Sequence, residues 1–125
     1  MVTYIILISY SFLLIFQILH IFEEIGMEIY KIDLISSLKK YLRGASVIMS
    51  IYIISYLLIA LDLKFGIWLG LFCSTLAMGN FLIHTIGYIK FREFRGNIAS
   101  GVFSSIPLGI LGGINLYFLL KILQS

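Results

Sequence analysis

Four apolar runs separated by clusters of charge organise the chain. Val2 to Phe22 carries no charged residue for 21 positions, Gly44 to Leu61 none for 18, Phe65 to Ile89 none for 25 and Asn97 to Leu120 none for 24. At 1.5 Å per residue, each run can cross a hydrocarbon core of about 30 Å as a helix, the second at the short limit. Strands are excluded, because backbone groups in lipid require helices or a closed barrel, and four segments cannot close one. The pattern therefore predicts an all-α polytopic membrane protein. A single transmembrane domain spans 1–125, with helices at about 2–24, 44–61, 65–89 and 98–120. The first run has no lysine or arginine in its opening MVTYI and no small-residue cleavage site after Phe22, so it reads as a retained helix and not a signal peptide.

The segment between the first two runs has a pattern of its own. Tyr30, Leu34, Ile35, Leu38, Tyr41 and Leu42 recur at helical spacing, while Asp33, Ser36, Ser37, Lys40 and Arg43 take the other face. This predicts an interfacial amphipathic helix with its lysines toward anionic headgroups. Basic residues also set the orientation. Lys31, Lys39, Lys40, Arg43, Lys90, Arg92 and Arg95 flank one membrane face, against Lys64 and Lys121 on the other. The positive-inside rule then places both termini outside the cell membrane. Small residues at Gly66, Gly70 and Ser74, and at Gly101, Ser105, Gly109 and Gly113, recur every fourth position and suit close helix packing, within the bundle or between subunits.

Composition agrees with the pattern: 61% of the 125 residues are hydrophobic and 12% charged, far from soluble usage. The net charge of +3 is no nucleic-acid signature, since the basic residues lie between apolar runs and form no stripe. Cys73, the single cysteine, excludes an internal disulfide and a cysteine-based zinc site.

Ionisable groups inside a span are costly, roughly 3 kcal/mol at the bilayer centre on insertion scales, so the exceptions carry the functional signal. On the first helix they are Gln17, His20, Glu23 and Glu24. At 100° per residue, Gln17, His20 and Glu24 fall within about 60° of one another, with Glu23 about 60° from His20 on the other side. Asn80 and His84, four apart on the third helix, share a face. The first and third helices run the same way and both polar sets lie near their inner ends, which predicts that these helices adjoin there and bring the histidines together.

Two imidazoles with one or two carboxylates form a ligand set for one divalent ion, zinc, iron or manganese. The metal ligands would be His20, Glu24 and His84, with Glu24, Glu23 and Asn80 as catalytic groups. Of the acids, Glu24 is favoured as ligand or base by its position on the His20 face. Without metal, the same cluster can transfer protons. A di-iron carboxylate bundle is excluded because Glu-x-x-His is absent, and a zincin because H-E-x-x-H is absent.

His20-Ile-Phe-Glu23-Glu24 at the end of a first membrane helix, followed by Asn80-x-x-x-His84 in the third, resembles the HXXEE-domain family of small bacterial integral membrane proteins. The resemblance implies that His20, Glu23, Glu24, Asn80 and His84 form a shared site, for which an enzymatic, metal-dependent role is suspected. Where that family often has a proline-glycine pair after its second histidine, this chain reads Arg95-Gly96-Asn97. Two function classes follow. One is a membrane-embedded enzyme, a hydrolase or isomerase, acting on a lipid-like or membrane-bound substrate at the cytoplasmic leaflet by hydrolysis or proton transfer. The other is a non-enzymatic accessory or scaffold subunit, in a homo-oligomer or with a larger membrane partner, among membrane lipid.

Overall fold

The computed structural model describes residues 2–125, which form an all-helical bundle. Helices α1 (Val2–Gly26), α2 (Leu38–Ala60), α3 (Lys64–Phe91) and α4 (Val102–Gln124) are each long and apolar enough to cross a membrane, which makes this a multi-pass membrane protein. The helices alternate in direction and pack in a ring, α1 on α2, α2 on α3, α3 on α4 and α4 on α1. The helices outrun their charge-free stretches, because charged residues at a span's ends are wetted and need not break it.

Two expectations are corrected. No separate interfacial helix forms between the first two spans. A single 3₁₀ turn, Ile29–Lys31, follows α1, and the backbone is left-handed at Glu28 and Ser36 (φ 60° and 59°). Ser37 then caps α2, its hydroxyl accepting from the Lys40 amide at 3.3 Å. The Ser36-Ser37 pair thus starts a new helix where helical spacing alone suggests continuity. Gly44 does not interrupt α2, so Leu38 to Arg43 become the first turns of the second span. Helices α1 and α3 do not adjoin either: they lie diagonally across the ring. Depth along the membrane follows from sequence, whereas ring order does not.

The core is thin and the outside apolar, as lipid requires. Ile6, Tyr10, Leu13, Gln17 and His20 bury one stripe of α1, while Ile8, Phe12, Ile15 and Phe22 stay exposed. Without a hydrophobic drive between helices in lipid, close backbone approach holds the ring. A Cβ at Gly66 would lie 2.6 Å from the α2 backbone, and one at Gly112 would lie 2.7 Å from the Ser74 carbonyl. Gly109 is likewise filled by Phe81 of α3, whereas a Cβ at Gly113, on the same stripe, would meet nothing within 4 Å. Deeper in the core, Ser9 donates to Asn115 at 2.5 Å and Tyr52 to the Cys73 carbonyl at 2.8 Å, tying α1 to α4 and α2 to α3.

The α1–α2 and α3–α4 loops meet at one end of the bundle. Gly96 donates its amide to the Met27 carbonyl at 2.6 Å, and Glu28 accepts from Lys31 (2.8 Å) and Arg95 (2.9 Å). The Lys31 and then the Arg95 hydrogen bond hold the Glu28 carboxyl below its ordinary value. A carboxylate lowered on folding contributes stability above its unfolded pKa, and that stability is lost as pH falls through the folded value. Thermal unfolding in detergent is therefore expected to show stability dropping as pH descends through the acid range below about 4.3, with a shallower drop in Glu28→Gln. An equal drop in both would remove Glu28 as a contributor.

Candidate metal and acid–base site

The inner polar residues converge just above these loops. His20, on the last turns of α1, is 1% exposed, and His84 on α3 is 3% exposed. Their rings meet edge to face across the bundle centre with centroids 4.8 Å apart. Glu24 lies one turn beyond His20 and sends Oε1 between them, 3.5 Å from His20 Nε2 and 3.3 Å from His84 Nε2. The diagonal placement of α1 and α3 makes this meeting possible, because both helices point these side chains at the ring's axis.

The far side of each ring is fixed. His84 Nδ1 lies 2.6 Å from the Ile98 carbonyl, which can only accept, so Nδ1 carries the proton. His20 Nδ1 lies 2.9 Å from Ser104 Oγ. The Ser104 hydroxyl is itself bound to the Glu23 carboxylate, an acceptor only, so it accepts from His20 Nδ1–H. When the rings are neutral, both Nε2 atoms therefore present lone pairs toward the Glu24 carboxylate. His20 Nε2 is buried without a hydrogen-bond partner.

Glu23 and Glu24 have different surroundings. Glu23 turns to the start of α4, accepting from the Phe103 amide (3.3 Å) and the Ser104 amide (2.7 Å) as well as the Ser104 hydroxyl. It supplies from another helix the cap that α4 lacks, in the favourable field of the helix N-terminus. Glu24 Oε2 instead accepts the Tyr41 hydroxyl at 2.5 Å. Asn80 does not join the meeting atoms. It lines a cavity of about 360 Å³ beside them, together with Gln17, Glu24 and Tyr41.

Two glycines let the backbone come this close. Gly101 has φ 98°, and a Cβ there would sit 2.8 Å from both His20 Cε1 and Glu24 Cγ. A Cβ at Gly87 would sit 2.5 Å from Ile98 Cγ1, displacing the loop whose carbonyl holds His84. That loop is built without proline: Asn97 Oδ1 accepts from Ala99 N at 2.7 Å, and Phe94 stacks on Tyr88 with centroids 4.8 Å apart.

Tyr41, Ile98, Gly101 and Ser104 join the site without being marked as site residues by the sequence. Tyr41 falls on an apparent interfacial face, Ile98 contributes only backbone, and Ser104 resembles any hydroxyl near a helix end. Gly101 stands out only as one of a stripe of small residues.

A family model described as "Protein of unknown function with HXXEE motif" matches residues 11–111. The chain belongs to the HXXEE family. Comparison with curated proteins and with solved structures found no match. The HXXEE match takes in every side chain described at this site, from Gln17 on α1 to Ser104 on α4. The motif's first and last residues, His20 and Glu24, face each other beside His84, while Glu23 holds the neighbouring helix.

His20, Glu24 and His84 form a donor set that could hold a divalent ion. One ligand atom from each of His20, Glu24 and His84 can be chosen with all three within 4.8 Å of one another. The Nε2–Oε1 separations of 3.5 and 3.3 Å are near the roughly 3.3 Å between two ligands of a tetrahedral zinc with bonds of about 2.0–2.1 Å, and the 4.8 Å span of the set would close to about 4 Å or less for all three to share one ion. The outer Nδ1–H groups bound to a carbonyl and a hydroxyl are the support that ligating histidines characteristically have.

Proposed function

We propose that this protein is a metal-dependent enzyme of the cell membrane, with His20, Glu24 and His84 holding one divalent ion. The observation that carries the reading is the convergence of two histidine Nε2 atoms and a carboxylate oxygen on one buried point. Three acceptors facing one another are repulsive until a cation or a proton lies among them. Two histidines and one carboxylate leave a coordination position open, as catalytic sites do. The cavity lined by Glu24, Gln17 and Asn80 supports placing that opening beside the substrate.

When bound, the ion would polarise a substrate carbonyl or phosphoryl oxygen as a Lewis acid. Proton handling falls to Glu24 and Tyr41, already joined by a short hydrogen bond. The Gln17 and Asn80 amides orient the substrate linkage. The reaction is hydrolysis of a lipid-like or membrane-bound substrate. The seven basic residues around this end of the bundle, against two at the other, support a cytoplasmic site with both termini outside.

The direct test is metal content after purification in detergent. One ion per chain is expected, lost in His20→Ala and in His84→Ala alike. Wild-type protein that holds no more metal than either variant, even after incubation with zinc, iron or manganese, would refute the metal reading and leave proton transfer by the His–Glu cluster. A finer prediction concerns Ser104. Ser104→Ala removes the acceptor of His20 Nδ1–H, and metal affinity measured by chelator competition is expected to fall about 10- to 100-fold. An unchanged affinity would show that His20 does not need that hydroxyl.

A further inference from the structure

The cavity beside Glu24 has a second half. Its walls are Gln17, Ile21, Leu34, Ile35, Tyr41 and Asn80, among others, and Lys40 stands exposed at its rim, held by a 2.9 Å hydrogen bond to Ser36. Past Ile21 and Ala45, which the two share, a groove of about 310 Å³ continues along the seam between α1 and α2. It is lined by Ala45, Met49 and Ile53, every fourth residue of α2, and so runs about 12 Å along the helix. Ser46 and Ser50 also border it, but their hydroxyls donate to their own helix at Leu42 and Ser46 carbonyls, which leaves the groove apolar.

The polar half holds an unmet demand. Gln17 is 3% exposed, and its side-chain oxygen is buried with no hydrogen-bond partner. A buried acceptor of this kind calls for an O–H or N–H donor. Three chemistries thus follow one another along one path: a cation at the rim, amides and the Glu24 site in the middle, and an open apolar groove along α2 beside Ile21.

We propose that this path seats a single-chain acyl amphiphile with an anionic headgroup and a free hydroxyl or amide N–H near its linkage. The headgroup meets Lys40, the hydroxyl or N–H meets Gln17, the linkage faces Asn80 and the Glu24 site, and the acyl chain follows Ile21, Met49 and Ile53. The cavity is at the small end of ligand sites, which suits the head and linkage of such a molecule with its tail in the groove. The inference rests on the reading of the Glu24 cluster as the reaction centre, and it supplies the substrate class.

The test is binding without turnover, by native mass spectrometry and calorimetry on the full chain in non-ionic detergent. The probes are oleoyl lysophosphatidate, oleoyl lysophosphatidylcholine and monooleoylglycerol. Lysophosphatidate is expected to bind at least about tenfold more tightly than the other two. Lys40→Glu should erase that preference, and Ala45→Phe, at the junction of cavity and groove, should weaken all three by about tenfold or more. A lysophosphatidate carrying a diazirine on its tail should crosslink the wild-type chain at Met49 or Ile53, a readout that does not depend on any variant folding.

Crosslinks on the α3–α4 face, or equal binding of all three probes, would overturn the proposal. Chelator-treated protein separates the two readings. Binding that persists in a chain found to hold no metal sustains this inference while the metal reading fails, and a metal-loaded chain that binds none of the probes does the reverse.

Discussion

Glu24→Gln is expected to abolish metal retention and activity, whereas Glu23→Gln leaves a weakened ion site in a less stable protein. The two acids are adjacent in sequence and separate in task. Glu24 Oε1 lies within 3.5 Å of both Nε2 atoms, so removing its charge removes the anionic member of the ligand set. The amide that replaces it can still accept the Tyr41 hydroxyl, so the local packing survives and the loss reads on chemistry. Glu23 caps α4 through two amides and a hydroxyl. Its neutralisation should cost about 0.5–2 kcal/mol of stability, as loss of a helix cap does, and should loosen His20 through Ser104. Metal content and thermal unfolding of the two variants, measured side by side, check this. Equal loss of metal in both would mean that the acids act as one unit, and loss confined to Glu23→Gln would contradict the assignment.

Gly101→Ala is expected to have an effect of comparable size from a residue with no functional side chain. At φ 98°, an added Cβ strains the backbone by about 1–3 kcal/mol. The same Cβ would press on His20 Cε1 and Glu24 Cγ at 2.8 Å, so either the loop or these two side chains must move. The variant should lose both stability and the ion. Gly113→Ala is the control, since a Cβ there meets nothing within 4 Å and alanine favours the helix. If both variants retain metal equally, the close approach at Gly101 is not needed by the site.

Much of this architecture is legible in the sequence, for identifiable reasons. Charge-free runs mark spans because lipid penalises charge along the whole length of a helix, and the signal therefore shows in one dimension. Helical phase then puts His20 and Glu24 on one face and Asn80 and His84 on another. What phase cannot give is the partner each face meets. Asn80 shares a face with His84 but ends on the cavity wall, and α1 and α3 meet only through long side chains across the ring. Tyr41 is hidden because its spacing fits an interfacial stripe as well as an inward face. Only the helix start at Ser37 distinguishes them, and a serine pair in a polar segment signals it weakly. Ile98 has no readable signal, since the contribution is a carbonyl and every residue has one. Ser104 reaches Glu23 across 81 positions of sequence, a pairing that local pattern does not encode.

Small-residue stripes mark packing surfaces, yet one member matters differently. Gly109 and Gly112 admit α3 against α4, whereas Gly101 admits the side chains of His20 and Glu24. The distinction lies in backbone conformation: the first two are helical, and Gly101 is left-handed at the helix start.

Joint binding of one ion by His20, His84 and Glu24 is tested most directly by X-ray absorption spectroscopy of the zinc-loaded protein in detergent. The expected result is a first shell of nitrogen and oxygen at about 2.0–2.1 Å, with outer-ring scattering from two imidazoles, and no zinc retained by His84→Ala. A shell of oxygen alone, or imidazole scattering unchanged in that variant, would contradict it.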